Sequence, residues 1–156
     1  MALKEYLIKQ LGSYGPDHAW IFVIVKPGFE KYTQQIIEEF TSDVSAGDDK
    51  HPAHTPWVLS KTRSKTLLPE EARSLYEIHK KEDWYEDLWK YMSSGMTTGL
   101  LFVKPDEKVS KKMFKEVDAI KDYIREQWGE SEMRNVIHSS DSIEHMQHEA
   151  SIYFVI

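Results

Sequence analysis

The sequence predicts an α+β domain in which helices pack on a four-stranded sheet. Three observations carry that expectation. Apolar runs rich in β-branched and aromatic residues stand at 19–25, 98–103 and 150–156, with a partly alternating run at 57–66, and each has the length of a strand. The stretches between them place apolar residues three or four apart, as amphipathic helices do. A chain of 156 residues, 40% hydrophobic and 29% charged, suits one core spanning 1–156; chains of this size bury about 68–70% of the surface exposed on unfolding.

Met1 to Leu11 mixes Lys4, Glu5 and Lys9 with apolar residues at helical spacing and lacks the apolar stretch and cleavage site of a secretory leader. Ala19 to Val25 is unbroken and apolar, as a central strand covered on both faces would be, and Lys26-Pro27-Gly28 stops it. Tyr32 to Phe40 sets Ile36, Ile37 and Phe40 on one stripe and leaves Gln34, Gln35, Glu38 and Glu39 for solvent. Thr41 to Pro56, rich in Ser, Asp, Gly, His and Pro, is longer than most connections in compact domains and reads as an inserted loop, functional or a floppy excursion. Trp57 to Thr66 resembles an antiparallel or edge strand.

Pro69-Glu70-Glu71 opens a helix running to about Lys80, with proline near its first position and acids in its first turn. Glu82 to Tyr91 reads as a second short helix carrying Trp84, Leu88 and Tyr91 on one stripe, broken at Ser93-Ser94-Gly95. Thr98 to Val103 is the third strand, closed by Lys104-Pro105-Asp106. Met113, Phe114, Val117, Ile120, Tyr123, Ile124 and Trp128 recur with helical spacing, as one long helix or two joined by a bend. After Asn135 to His138, a helix is expected from about Ser142 to Glu149, and Ala150 to Ile156 as the last strand.

Lys and Arg number 20 against 26 Asp and Glu, a formal charge of −6, so no global positive field draws nucleic acid or an anionic membrane. A polyanion would need a focused site. Cysteine is absent, which excludes a disulfide framework, a thiolate nucleophile and Cys-based metal centres. No run approaches the ~18 apolar residues of a spanning helix, and a cytoplasmic location with no membrane partner is expected. His51 with His54 and His145 with His148 form pairs that lack a third ligand at metal spacing, so solvated imidazoles are expected. Lys108, Lys111, Lys112 and Lys115, flanked by Glu107 and Glu116, read as a solvated helix face with one phosphate-directed lysine, not a nucleic-acid patch.

Arg134 to Ser142 sets His138 among small polar residues directly before a helix N-terminus, where orphan N–H groups and partial positive charge favour anions. Asp141 and Ser142 are candidate caps. An imidazole is a fair nucleophile that can carry a transferred group covalently, and the neighbouring N–H groups and basic residues suit phosphoryl chemistry. Taken alone, the motif reads first as a structural or merely exposed histidine.

Asn135-Val136-Ile137-His138-Ser139-Ser140-Asp141-Ser142 resembles the active-site stretch of nucleoside diphosphate kinases, usually Asn-Ile-Ile-His-Gly-Ser-Asp-Ser. Glu149-Ala150-Ser151-Ile152-Tyr153-Phe154 is similar to the Glu-Ile-x-Leu-Trp-Phe that follows it. Phe22 to Pro27 resembles the family's first strand and its phosphate-binding Lys-Pro, and Tyr91-Met92-Ser93-Ser94-Gly95 its Tyr-Met-x-Ser-Gly. The resemblance implies a ferredoxin-like βαββαβ fold, a four-stranded antiparallel sheet with helices packed on it. It implies transfer of the γ-phosphoryl group of a nucleoside triphosphate to a nucleoside diphosphate, by a ping-pong route through phosphohistidine and with Mg²⁺ as cofactor.

By the same resemblance, His138 matches the nucleophile and Glu149 the carboxylate that orients it. Lys26 and Arg125 match phosphate contacts, Asn135 a ribose contact, and Asp141 a residue near the magnesium, acting through a metal-bound water. Tyr76 falls beside the phosphates, Trp84 where an aromatic stacks on the base, and Leu88 on the base's other side; periodicity alone would make all three core residues. Counting from Gly95, Lys112 occupies the place of a second phosphate-binding arginine, keeping the charge and losing the fork. Ser139 replaces the usual glycine, Gly28 and Phe29 alter the turn after Lys26-Pro27, and helix replaces the Gly/Pro-rich loop that helps build trimers. A homodimer or higher homo-oligomer assembled through sheet edges is implied. The alternative is a nucleotide-binding or interaction module of the same fold with weak or no catalysis.

Overall fold

The computed structural model describes residues 18–44 and 51–154. The amino-terminal stretch read as helical and the middle of the 41–56 loop lie outside the described residues. The elements are β1 (His18–Val25), α1 (Thr33–Thr41), β2 (Val58–Lys65), α2 (Pro69–Leu75), α3 (Tyr85–Met92), β3 (Thr97–Lys108), α4 (Lys111–Trp128), β4 (Ile137–Ser139) and α5 (Ile143–Tyr153), with 3-10 turns at Glu30–Tyr32 and Glu77–His79. The strands lie in the order β2-β3-β1-β4, and every neighbouring pair is antiparallel. β3 therefore sits between β1 and β2, which run parallel to each other and are joined across it through α1. This is the split β-α-β order of a ferredoxin-like sheet.

Seven of the eight residues of β1 are buried, which answers to its unbroken apolar run. One face of the sheet meets α5, where Phe22 packs against Tyr153 and Phe154 at 5.4 and 5.8 Å between ring centroids. The opposite face meets α1, where Phe40 stacks on Phe102 at 4.7 Å. Gly99 of β3 lies beneath Phe22 and Tyr153, and a Cβ there would stand 2.7 to 2.9 Å from their rings. α4 is one continuous helix with Met113, Val117, Ile120 and Ile124 buried, and the Ser110 hydroxyl caps it by accepting from the Met113 amide.

The structure corrects several expectations. Ala150 to Tyr153 is the end of α5, not a strand, and the fourth strand is the three-residue β4. A short apolar run cannot be assigned to helix or strand by periodicity alone. Tertiary partners decide it: from β2, Lys65 Nζ donates to Ile152 O and Arg63 Nη1 to Tyr153 O, two cations at the carbonyl end of a helix. Lys104-Pro105-Asp106 lies inside β3, beyond the register shift between His18 and Ala19, where a ladder tolerates proline. The helix expected to reach Lys80 ends at Leu75 and continues as a 3-10 turn. His54 is buried and His51 Nδ1 pairs with Glu39 at 3.0 Å, so neither imidazole of that pair is merely solvated. The 41–56 loop is closed at its ends by a Val44–His54 bridge and by the Trp57 amide donating to Phe40 O.

Candidate active site

β1 and β4 end side by side, with Ile24 opposite His138 and Val25 opposite Ile137. That register brings Lys26, the first residue after β1, against the segment leading into β4. Its amide donates to Val136 O at 2.8 Å, while its Nζ donates to Met133 O at 3.1 Å and to Asn135 Oδ1 at 2.6 Å. Val136 stands at φ 80° and the Ile137 amide bonds back to Asn135 O at 3.0 Å, a γ-turn in a β-branched residue. Such a conformation costs on the order of 1–3 kcal/mol and persists where surroundings over-determine it. Here burial of Val136 and the Lys26 amide hold it.

His138 is the central residue of β4, and Glu149, 2% exposed, faces it from α5. His138 Nε2 lies 2.7 Å from Glu149 Oε2, and Ser140 Oγ donates to the same oxygen at 2.6 Å. The Tyr76 ring stands edge-on to the imidazole at 5.1 Å. Arg125, from the last turns of α4, donates through Nη2 to Ile137 O at 3.0 Å. Four buried polar atoms around this group have no hydrogen-bond partner: Tyr76 Oη, Arg125 Nε, Ser139 Oγ and Glu149 Oε1. Buried polar groups are nearly always paired, so these four call for a partner, water or ligand, that the protein itself does not supply.

The electrostatics agree with that reading. Burial first, then the charges of Arg125 and Lys121, push the Lys26 ammonium down to about 7. Burial pushes the Tyr76 hydroxyl well up, with Glu149 adding to it, so it stays a neutral donor. Burial also lowers Arg125, which remains a cation at neutral pH.

A cavity of about 470 Å³ opens at His138, lined also by Tyr76, Lys121, Asp141, His145 and His148. A second cleft of about 350 Å³ is formed by Lys26, Trp84, Leu88, Glu132 and Met133. His79 borders the first and Trp84 the second, with their rings 5.0 Å apart, so the two spaces meet there. Trp84 is 42% exposed and offers a ring face, whereas Leu88 is nearly buried and serves both core and cleft. His148, exposed as expected, bonds Ser74 Oγ at 2.7 Å.

Of the residues singled out by sequence, the structure brings Tyr76, His138, Asp141 and Glu149 to the first cavity and Lys26, Trp84 and Leu88 to the adjoining cleft, with Arg125 and Asn135 joined to them through Ile137 O and Lys26 Nζ. It does not bring Lys112 there. Lys112 is exposed in the first turn of α4, and its charge bears on Glu107 instead. Sequence reasoning missed Lys121, which lines the cavity; its position four residues before Arg125, on the same helix face, was the available signal. Among the described residues no three His, Asp or Glu side chains gather to hold a metal ion, and no helix is long and apolar enough to cross a membrane.

The sequence profile of the nucleoside diphosphate kinase family matches residues 21–155. The nucleoside diphosphate kinase of Kosmotoga olearia is 35% identical over 92 residues, 56% of this chain and 63% of its own length. That of Saccharolobus solfataricus is 37% identical over 87 residues, 53% of this chain and 63% of its own. The matched segment thus spans somewhat under two thirds of these curated relatives. Two solved structures share the fold: the nucleoside diphosphate kinase of Encephalitozoon cuniculi, with TM-score 0.67, 19% identity and coverage of 86% of this chain and 88% of that one, and that of Aquifex aeolicus, with 0.64, 22%, 86% and 94%. A profile match running from the first strand to the end of the last helix leaves one conclusion about descent: this chain belongs to the nucleoside diphosphate kinase family.

Proposed function

We propose that this chain transfers the γ-phosphoryl group of a nucleoside triphosphate to a nucleoside diphosphate through a phosphohistidine at His138. The observation that carries the proposal is the 2.7 Å contact between His138 Nε2 and the buried Glu149 carboxylate. A carboxylate there keeps the proton on Nε2, which leaves the lone pair of the neutral ring on Nδ1. Nδ1 attacks the γ-phosphorus, the bond from phosphorus to the β–γ bridging oxygen breaks, and the nucleoside diphosphate leaves with that electron pair. As the ring gains positive charge, Glu149 stabilises it. In the second half-reaction a terminal oxygen of the acceptor diphosphate attacks the same phosphorus, and the N–P bond returns its pair to Nδ1.

Phosphoryl transfer depends on positioning and on neutralising spread negative charge, so Lys26, Arg125 and the neutral Tyr76 hydroxyl supply much of the stabilisation. In this reading Asn135, held by Lys26 Nζ, bonds the ribose, and the Trp84 ring, exposed in the cleft, stacks on the base. A stacked ring is tolerant of base identity. Asp141 and Glu77 are exposed carboxylates at the cavity, and a site with so few fits a magnesium that arrives on the phosphates, since Mg²⁺ takes one or two carboxylates plus phosphate oxygens and water. Bound there, the ion would neutralise phosphate charge. Among the described residues β2 and β4 each pair on one side only, and the expected homodimer would assemble through such an edge.

The test is incubation with Mg²⁺ and ATP labelled at the γ-phosphate. Wild type acquires acid-labile, base-stable label that is chased by GDP, and His138→Ala acquires none. Equal labelling of both proteins, or none of wild type, refutes the proposal.

A further inference from the structure

We propose that Lys121 is a third phosphate-binding cation of this site, in the role that counting along the sequence assigns to Lys112; the ligand's identity rests on the phosphotransferase reading. Lys121 lies on α4 and lines the cavity with His138 and Asp141. Its side chain is 15% exposed, so it is held close without being sealed from a ligand. Its Nζ stands 3.4 Å from Ser139 O, the carbonyl next to the nucleophile, and 3.3 Å from Asp118 Oδ1. Both distances exceed the ordinary hydrogen-bond range of about 2.7–3.2 Å. An ammonium has three donors, and an exposed partner such as Asp118 binds it weakly.

Lys26 is more committed, its Nζ already making two hydrogen bonds within the protein, one of 2.6 Å, and Arg125 is tied through one donor to Ile137 O. Lys121, held by two long contacts at the cavity wall, can follow phosphoryl oxygens as they shift between bound states. Its charge also reaches Lys26: together with Arg125 it disfavours the protonated form there. Like charges this close repel one another, and a polyanion bound among them relieves that repulsion. Lys112 lies nine residues earlier, roughly 14 Å along the helix axis.

Calorimetric titration of the full chain with inorganic tripolyphosphate at fixed ionic strength tests this apart from turnover. Lys121→Met is expected to weaken binding roughly 10- to 100-fold, as loss of a charge-assisted contact does. Lys121→Gln, which keeps a donor for Ser139 O, should lose as much. Lys121→Arg should stay within about threefold of wild type because the charge remains. Lys112→Met should stay within about twofold, as a distant exposed charge. Folded Lys121→Met or Lys121→Gln binding like wild type, or Lys112→Met weakening binding equally, overturns the inference. Absent label on wild-type His138 would sink the kinase reading, while the titration still decides the role of Lys121.

Discussion

Lys26 allows a prediction with its magnitude worked from structure. The buried ammonium, crowded by Arg125 and Lys121, titrates at about 7 in the free protein instead of its ordinary 10.5. At pH 8 only about a tenth of the molecules carry the proton. A phosphate chain placed against Nζ favours the charged form, so binding restores the cation and takes up about 0.9 proton at that pH. By linkage, affinity for ADP should fall about eightfold between pH 7.5 and 8.5 and change less than about twofold between pH 6 and 7 from this group. The second ionisation of phosphate, near 6, is largely complete above pH 7.5 and does not mask the slope. Calorimetry in two buffers of different ionisation enthalpy reads the proton directly. Lys26→Met should bind weakly and lose the slope. Flat affinity from pH 7.5 to 8.5 in wild type, or no proton uptake at pH 8, refutes the reasoning. Stability of the ligand-free protein moves the other way from that of a salt-bridged lysine. Between about 7 and 10.5 the unfolded chain binds the proton and the folded one does not, so stability rises with pH across that window.

Two further predictions concern the imidazole and the core. Glu149→Gln keeps the shape but removes the charge that stabilises the ring, and it should lower the rate of His138 phosphorylation about 100-fold with the fold retained; a rate within threefold of wild type in rapid-quench labelling would exclude the orienting role. Gly99→Ala drives a methyl into the Phe22 and Tyr153 rings, both fully buried, and should cost about 2 kcal/mol, seen as a fall of several degrees in Tm; an unchanged melting curve would contradict this packing.

Much of this protein was readable in linear sequence. The first and third strands announced themselves because both faces are covered, which leaves an unbroken apolar run. The amphipathic helices showed their stripe, and the motif around His138 carried the resemblance to the family. Val136 shows where such reading stops. Its left-handed backbone and the three-residue strand after it depend on Lys26, more than a hundred residues earlier, and no local propensity encodes them.

Sequence by itself determined which side chains are available to a site and the periods that sort helix from strand, because those depend on residue type and near neighbours. Tertiary structure decided that residues 150–153 are helical, since cations from β2 meet their carbonyls. It decided that Lys121 and not Lys112 faces the cavity, since the direction of a side chain follows from how the whole helix lies on the sheet. It also lowered the Lys26 ammonium, because desolvation and repulsion arise only when distant segments close around one charge.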